Sequence, residues 1–557
     1  MIDLPPYPPL DPSNYDLIVV GTGVSESVSA AAASSSGSSV LHLDPNPFYG
    51  SHFASLSLPD LTSFLHSNSA SPPPPPSSPP PLPPSSSHDL VSVDIFHRSL
   101  YSSVEISSFD SEILEEHSRR FNVDLCGPRV VFCADESINL MLKSGANNYV
   151  EFKSIDASFV GDSSGELRSV PDSRAAIFKS KSLTLLEKNL LMKFFKLVQS
   201  HLASDDTTVK ISEEDMESPF VDFLAKMRLP PKIKSIILYA IAMLDYDQDN
   251  METCRHLLKT KEGIDRLALY IKSMGRFSNA LGALIYPIYG QGELPQAFCR
   301  RAAVKGCIYV LRMPITALLL DKVSGAYKGV RLASGQEIFS QKLILDPCIT
   351  VGLESLSSLT DQQNETLSVI VPKAMINTQK IARGICVIRG SVKADISNAL
   401  IVYPPKSLFP EQLTAIRVLQ LGSGLAVCPA DMHVLYLSTL CDSDDQGIKA
   451  LLSAISNLIR LPVTENCQSD SVVENDTSEA KPFLLWRALY VQALAKGEFG
   501  GTISSMPSPD ENLNYSEMVE SAVKLYEQIM GSEELFKEET SVENTAEENH
   551  GGVEIEN

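Results

Sequence analysis

Two glycines and two carboxylates near the N-terminus form the clearest chemical pattern in the sequence. Gly21 and Gly23 follow an apolar run that ends at Val20, and Asp44 ends a second apolar run. A strand, a glycine turn, a helix and a second strand that ends in an acid form the βαβ unit that binds dinucleotides. Glu26, however, stands where that fingerprint has its third glycine. The sequence therefore predicts a degenerate nucleotide turn made of Gly21, Gly23 and Glu26.

A negative charge at Glu26 would oppose a bound pyrophosphate. Two like unit charges about 4 Å apart repel by about 1 kcal/mol in water and by several times more when they are shielded from it. The rest of the sequence contains no HExxH, Walker A or protein-kinase pattern, and we identify no nucleophile elbow. We expect no catalytic residue, no metal ligands and no bound cofactor. A flavin-dependent oxidoreductase is the alternative, and it depends on this one unit.

A second stretch, residues 285–311, combines glycines, aromatic side chains and charges. A strand ends in a Gly-Gln-Gly turn at 290–292, and the helix that follows ends at Gly306. Glu293 and Arg300 are seven residues apart, which places them on one face of this helix, two turns from each other. They are either two solvated charges or a pair that presents one negative and one forked positive group to a protein partner.

Helical periodicity dominates residues 171–247. Apolar residues between 183 and 198 recur at i, i+3, i+4 and i+7, and two prolines at 230–231 open another apolar helix. The pattern fits the core of a plain helix bundle, but it also fits a small bundle with room for an apolar guest. Four residues of the apolar stripe are candidates for lining such a pocket: Leu190, Phe194, Ile237 and Ile241.

Strand-like alternation returns after Pro314 and extends the first domain. We predict strands at 316–320, 327–332, 337–339, 342–345, 382–389, 399–403, 414–421 and 433–440, and helices at 446–460 and 514–530. The fold class is α/β, with a Rossmann-type βαβ domain, additional β-sheet and an inserted helical lobe. The predicted division is 1–170 for the first part of the α/β domain, with a disordered Pro/Ser-rich insertion at about 65–90, 171–247 for the helical lobe, 248–530 for the rest of the α/β domain, and 531–557 for an acidic disordered tail.

Composition narrows the function classes. A chain of 557 residues is too long for one ordinary core. Its 68 acidic residues outnumber 46 basic ones, and the net charge of −22 argues against nucleic-acid binding. Ten cysteines without CxxC spacing indicate buried, reduced thiols. Because no signal peptide or apolar stretch of about 20 residues is evident, we expect a cytosolic protein.

Three motifs together carry a resemblance to a known family. Residues 21–26 with 44–50, residues 120–125 and residues 286–296 resemble the Rab escort protein and Rab GDP-dissociation inhibitor family. The resemblance covers most of residues 14–345 apart from the insertion. It implies a flavin-monooxygenase-like domain that has lost its cofactor, and a helical lobe that accepts the prenyl group of a Rab GTPase. On this basis Leu190, Phe194, Ile237 and Ile241 become candidates for a prenyl pocket.

Within the family the chain resembles the escort branch more than the inhibitors. It is longer, it carries the insertion, and it has Gly-Gln-Gly-Glu and Phe-Cys-Arg in the second stretch. The resemblance implies a non-catalytic protein that presents newly made, GDP-bound Rab to the α/β heterodimer of Rab geranylgeranyltransferase. The transferase prenylates the C-terminal cysteines, and the escort protein delivers the lipidated Rab to membranes. The alternative within the family is an inhibitor that extracts and recycles prenylated Rab.

The resemblance also assigns residues to two binding surfaces. The expected Rab-binding residues are Tyr49, Glu293, Arg300, Tyr309 and Val310, the last in place of a methionine that is common in inhibitors. Escort proteins resemble one another in a Phe and an Arg that contact the transferase α subunit. Phe178 matches the first, but Asn189 stands at the position of the Arg. We therefore expect a weaker or differently arranged transferase complex.

Overall fold

A computed structural model provides the structure of the chain. It describes residues 7–69, 89–110, 115–171, 174–203, 210–250, 252, 254–280, 282–352, 359–370, 379–461, 481–531, 535–536 and 555–556. Among these residues, no helix combines the length and the apolar character needed to cross a membrane.

The secondary structure begins with the predicted βαβ unit and continues with many short strands. The strands are β1 (Asn14–Val20), β2 (Val40–Asp44), β3 (Ser55–Leu56), β4 (Leu90–His97), β5 (Tyr101–Ser108), β6 (Val123–Asp124), β7 (Val131–Phe132), β8 (Phe152–Ser154), β9 (Ala157–Gly161), β10 (Leu167–Ser169), β11 (Leu284–Pro287), β12 (Ile308–Leu311), β13 (Ile315–Asp321), β14 (Tyr327–Leu332), β15 (Glu337–Leu345), β16 (Ile349–Val351), β17 (Lys380–Arg389), β18 (Ala399–Tyr403), β19 (Ile416–Gly422), β20 (Met432–Cys441), β21 (Phe483–Ala493), β22 (Glu498–Phe499), β23 (Ile503–Ser505) and β24 (Ile555–Glu556). The helices are α1 (Val24–Ser35), α2 (Leu58–Ser69), α3 (Glu136–Ser144), α4 (Arg174–Lys179), α5 (Leu185–Ala203), α6 (Glu213–Glu217), α7 (Phe220–Lys226), α8 (Pro231–Ser235), a π-helix (Ile236–Ile241), α9 (Thr260–Ser273), α10 (Glu293–Val304), α11 (Asp361–Leu367), α12 (Asp444–Leu458) and α13 (Ser516–Met530).

The larger sheet contains the βαβ unit. Its order is β12-β2-β1-β15-β14-β13-β4-β16. Outside this order, β23 also pairs with β15. β1 is parallel to both β2 and β15, and β12 is parallel to β2, whereas β14, β13 and β4 continue the sheet as antiparallel strands. Helix α1 packs against α10 and α13 and is buried from Val24 to Ser34. Its small alanine and serine side chains allow this close approach, as the predicted βαβ unit requires.

A second, mainly antiparallel sheet carries the remaining long strands. Its order is β10-β9-β18-β19-β20-β17-β21-β5, and α12 packs against β17, β20 and β21. The π-helix, which lies between α8 and α9 in the chain, contacts β9 and β18 of this sheet. Phe194 of α5, Ile237 of the π-helix and Tyr436 of β20 belong to one hydrophobic core. The helical region therefore shares its core with the second sheet.

Most predicted elements are confirmed, with ends shifted by a few residues. The predicted strands at 337–339 and 342–345 form the single strand β15, and the predicted helix after Pro230 continues as a π-helix. Helix α9 packs against α5, α6 and α7, so helical structure continues beyond residue 247. The sequence analysis missed β4, β5 and β21, which pair with partners far away along the chain.

The two segments predicted to be disordered differ in part from the prediction. The insertion begins later than residue 65, because Leu65 is fully buried in α2, while residues 70–88 lie outside the described residues. In the tail, Leu535 and Phe536 are buried and the ring of Phe536 stacks on Phe298 at 6.5 Å, so for this pair the prediction is wrong. An isolated apolar pair in an acidic segment was too weak a sequence signal. Most of the remaining tail lies outside the described residues.

Candidate functional site

The glycine turn between β1 and α1 is filled by side chains of the protein itself. Gly21 has a φ of +97°, and a Cβ atom there would lie 2.9 Å from Oδ2 of Asp346. Gly23 immediately precedes α1, and a Cβ atom there would lie 2.5 Å from Oε2 of Glu26. The positive φ makes glycine necessary at Gly21, whereas at Gly23 the close contact is with the end of the Glu26 side chain. The Glu26 carboxyl group thus lies against the turn where a nucleotide-binding protein leaves room for phosphate.

Glu26 excludes a phosphate by occupying its position. Its surface is 3% exposed, and its carboxyl group accepts a hydrogen bond from its own backbone N–H at the start of α1. Burial, and then the charge of Asp346, raise the pKa of Glu26 to about 8, so the group is mostly protonated at neutral pH. The expected charge repulsion is therefore the wrong mechanism. Because the carboxyl group also uses a helix N–H that a phosphate would need, the turn does not fit a dinucleotide cofactor.

Asp44, the acid that would contact a ribose, is satisfied by neighbouring groups. Its Oδ2 accepts hydrogen bonds from the Thr22 N–H at 2.9 Å and from the Thr22 hydroxyl at 2.6 Å, and its Oδ1 accepts the Asn46 N–H at 2.8 Å. The Thr22 hydroxyl oxygen in turn accepts the N–H of Gly50 at 2.8 Å. This chain of hydrogen bonds joins the turn to the loop that carries Tyr49.

Three aromatic rings meet beside this loop. β12 lies parallel to β2, which sets Tyr309 opposite His42 and brings their ring centroids to 4.7 Å. The ring of Tyr309 also packs edge-on against Tyr49 at 6.0 Å. His42 is buried: burial lowers its pKa to about 4, and its Nε2 lies 2.5 Å from the Gly21 carbonyl oxygen. Tyr49 and Tyr309 are half-buried and face each other across the strand edge.

Glu293 and Arg300 lie next to these tyrosines on α10. Glu293 begins the helix and is half-buried, and burial raises its pKa while the positive charge of Arg300 opposes that rise. Arg300 is exposed, and its charge also acts on the hydroxyl of Tyr49. Cys299, which precedes Arg300, is buried, and its Sγ lies 3.3 Å from the hydroxyl of Ser27. This contact fixes α10 against α1.

The structure therefore brings together four of the five expected Rab-binding residues, namely Tyr49, Glu293, Arg300 and Tyr309. We call Tyr49, Glu293, Arg300, Tyr309 and Val310 the platform. Val310 follows Tyr309 on β12, is half-buried and packs against the core of the larger sheet, so it contributes support more than surface. The platform combines an exposed cationic side chain with half-buried acidic and phenolic ones, a composition that suits recognition of a protein surface.

Sequence reasoning missed the residue that connects two of the motifs. Asp124, in the motif at 120–125, is fully buried and accepts hydrogen bonds from the hydroxyl groups of Tyr286 and of Ser55, the latter at 2.7 Å, and from the N–H of Gln291 at 2.9 Å. Burial raises its pKa to about 6. Asp124 thereby fixes the Gly-Gln-Gly turn that starts α10. Tyr289, 56% exposed and at a φ of +73°, lies beside the same turn and was also missed.

The two expected transferase-binding residues lie on the surface of the helical region. Phe178 is 62% exposed at the end of α4, and Asn189 is exposed in α5. The Nζ of Lys188 donates a hydrogen bond to the backbone carbonyl of Phe178 at 2.8 Å, which ties the two helices together. Leu185 and Leu186 are 81% and 69% exposed. We call Phe178, Leu185 and Leu186 the apolar patch.

The four candidates for a prenyl pocket are packed against their neighbours. Phe194, Ile237 and Ile241 are at most 2% exposed and belong to the hydrophobic core, and Leu190 is half-buried beside it. Ile241 also borders a cavity of about 380 Å³. That cavity is lined by apolar side chains and by charged ones, among them Arg266 and Glu517. A lipid at the predicted position would have to displace core side chains.

Comparison with known proteins identifies the family. The family model described as GDP dissociation inhibitor matches residues 11–76 and 90–461. The chain is also 90% identical to Rab escort protein 1 of Arabidopsis thaliana, over 100% of both proteins. The chain belongs to the Rab escort protein and GDP dissociation inhibitor family.

One further relative and one solved structure are also similar to the chain. Rab proteins geranylgeranyltransferase component A 1 of Homo sapiens is 25% identical, over 94% of this chain and 92% of that protein. The crystal structure of a Rab GDI from Plasmodium falciparum is similar with a TM-score of 0.65 at 18% identity, and covers 93% of this chain and 98% of that one. The prediction of an α/β fold of the FAD-monooxygenase-like type is confirmed.

Proposed function

We propose that the chain acts as a Rab escort protein. It binds newly made, GDP-bound Rab GTPases, presents them to the α/β heterodimer of Rab geranylgeranyltransferase for prenylation of their C-terminal cysteines, and delivers the lipidated Rab to membranes. It works in the cytosol and does not itself catalyse prenylation. The full-length identity of 90% to a protein of that name supports this proposal.

One observation carries the proposal: the platform adjoins a nucleotide turn that Glu26 fills. The hydrogen bonds from Asp44 through Thr22 to Gly50 hold the Tyr49 loop, and α10 presents Arg300 beside it. In the proposed complex the guanidinium of Arg300 pairs with a carboxylate of the GTPase, and Glu293 accepts a donor from it. Tyr49 and Tyr309 supply amphipathic contact area around this pair.

In this proposal the helical region binds the transferase and the geranylgeranyl group. In the proposal the apolar patch and Asn189 contact the transferase α subunit, because three large apolar side chains in solvent are typical of an interface. Leu190, Phe194, Ile237 and Ile241 separate to admit the geranylgeranyl group. Since these residues are packed in the free chain, lipid binding would follow a rearrangement of α5 and the π-helix.

Two alternatives are weaker. A GDP-dissociation inhibitor would share the platform, but the greater length and the 90% identical relative favour the escort branch. A flavin-dependent oxidoreductase would need a free glycine turn, and Glu26 lies in that position. Purified protein that releases flavin on denaturation would support the oxidoreductase.

The proposal is tested by reconstituting prenylation. Full-length protein is combined with a GDP-loaded Rab, the transferase heterodimer and labelled geranylgeranyl pyrophosphate. We expect Rab prenylation to depend on the chain, and Arg300→Ala to weaken Rab binding by about 30-fold, which corresponds to about 2 kcal/mol. Arg389→Ala, which removes an exposed arginine at the end of β17, is the matched control and should bind normally. Prenylation that proceeds equally well without the chain would contradict the escort function.

A further inference from the structure

Three buried polar side chains form a group next to the loop that carries Tyr49. We call this loop the platform loop. His52 belongs to the short 3₁₀ turn Ser51–Phe53, immediately after that loop, and Asp346 and Cys348 lie in the turn between β15 and β16. The exposed fractions are 6%, 7% and 8% respectively. Within the part of the chain that the structure describes, it is the one group of three such side chains with ligand atoms all within 4.8 Å of one another.

The thiol and the carboxylate both approach the same nitrogen. Nε2 of His52 lies 3.0 Å from Sγ of Cys348 and 3.4 Å from Oδ1 of Asp346. In a nucleophilic Cys-His-Asp arrangement the acid would instead orient the ring from Nδ1. Here Nδ1 lies 2.7 Å from the hydroxyl of Tyr101. Convergence on Nε2 is therefore typical of ligands around a common ion and not of a catalytic triad.

The separations suit a tetrahedral ion. With metal–ligand distances of about 2.0 to 2.3 Å, two ligands of one tetrahedral site lie roughly 3.3 to 3.7 Å apart. The two separations from Nε2 are within a few tenths of an ångström of that range. A thiolate, an imidazole and a carboxylate in one site select Zn²⁺ over Mg²⁺ or Ca²⁺, which prefer all-oxygen ligands.

Neighbouring groups already orient all three ligands. When the proton of His52 is on Nδ1, the Tyr101 hydroxyl 2.7 Å away accepts it, and the lone pair of Nε2 is then available to a metal. Ser51 donates its hydroxyl proton to Oδ2 of Asp346 at 2.6 Å, and the Cys348 N–H donates to Oδ1 at 2.8 Å. The last bond closes a tight turn that keeps two of the ligands together.

We propose that His52, Asp346 and Cys348 bind one Zn²⁺ ion, with water in the fourth position. The ion would connect the turn after β15 to the 3₁₀ turn that follows Tyr49, and would thus stabilise the platform loop. The site is independent of the proposed escort function, because metal binding is measured without any partner.

The experiment uses the full-length protein after treatment with a chelator and desalting. Zn²⁺ is titrated in competition with a chromophoric chelator, and Co²⁺ is added separately as a spectroscopic substitute. We expect one Zn²⁺ per chain, and a Co²⁺ spectrum with intense visible bands and a thiolate charge-transfer band. Cys348→Ser should abolish the charge-transfer band and weaken Zn²⁺ binding by more than about 100-fold, whereas Tyr101→Phe, which retains all ligands, should weaken it by about 10- to 100-fold.

The matched control is Cys386→Ser, which removes a fully buried thiol from β17 and should bind Zn²⁺ like the wild type. Wild-type protein that binds less than one Zn²⁺ per chain, or equal binding by the Cys348 and Cys386 variants, would overturn the proposal. If Cys348→Ser fails to fold, as judged by circular dichroism, Tyr101→Phe decides the question. Unchanged Zn²⁺ affinity in that variant would then refute the site.

Discussion

Replacement of Glu26 by glutamine tests whether the nucleotide turn is filled by a neutral group. The amide of Gln has the shape of a protonated carboxyl group but does not titrate. The folded-state pKa of Glu26 is about 8 and its ordinary value is 4.5, so the folded chain holds the proton more tightly than the unfolded chain. A raised folded-state pKa contributes stability that is complete below pH 4.5 and is lost as the pH rises to 8.

The magnitude follows from the width of that window. Each pKa unit corresponds to about 1.4 kcal/mol, so the wild type should lose at most about 5 kcal/mol of unfolding free energy through Glu26 between pH 4.5 and 8. Glu26→Gln lacks this loss. We therefore expect the variant to equal the wild type near pH 4 and to be more stable by several kcal/mol near pH 8.5.

The assay is urea unfolding at a series of pH values in the presence of a chelator, which keeps metal away from the nearby acids. Trp486, the single tryptophan, is buried in β21 and reports by fluorescence, while far-ultraviolet circular dichroism serves as a second probe. Glu365→Gln, at an exposed position of α11, is the control and should follow the wild type at every pH. Parallel stability curves for wild type and Glu26→Gln would refute the neutral, buried Glu26.

Four other substitutions test the remaining features. Asn189→Arg should tighten the transferase complex by about 30-fold if the family arginine fits the same groove, and titration calorimetry with unchanged affinity would contradict that reading. Phe178→Ala should weaken the same complex but change the unfolding free energy by less than about 0.5 kcal/mol, whereas Phe194→Ala, in the core, should cost about 3 to 5 kcal/mol in urea unfolding. Asp124→Asn puts an amide where three donors converge and should cost about 1 to 3 kcal/mol, and undiminished stability would show that the turn before α10 does not depend on it.

The sequence was sufficient where a pattern is local. The βαβ unit, α5 and α10 were predicted because each is indicated by apolar periodicity and by glycines at the ends of its elements. These signals lie within a few dozen residues of sequence. The side-by-side placement of Tyr49 and Arg300 came from the resemblance, and the structure explains it by the packing of α1 against α10. The role of Asp124 could not be read locally, since its partners lie at 55, 286 and 291.

The proximity of His52, Asp346 and Cys348 could not be recognised in the sequence for the same reason, and the expectation of no metal ligands rested on spacing alone. His52 and Cys348 are separated by 296 positions, and short-range cysteine and histidine motifs cannot detect such a pair. The reason for the failed cofactor site was also misjudged, because burial changes the protonation of Glu26. Charge state depends on surroundings that a sequence does not display.

The degenerate nucleotide turn is better understood as a support for the loop of Tyr49 than as the remnant of a cofactor site. In a nucleotide-binding βαβ unit, the acid after the second strand and the N–H groups of the glycine turn are kept free for the ligand. Here Asp44 binds Thr22, and Thr22 binds the backbone of Gly50, so the same groups hold the loop of Tyr49. A cofactor and this bracing compete for the same hydrogen-bonding groups, so a chain that fixes Tyr49 in this way gives up the nucleotide. In this structure the groups that would bind a nucleotide are therefore the ones that hold the loop of Tyr49.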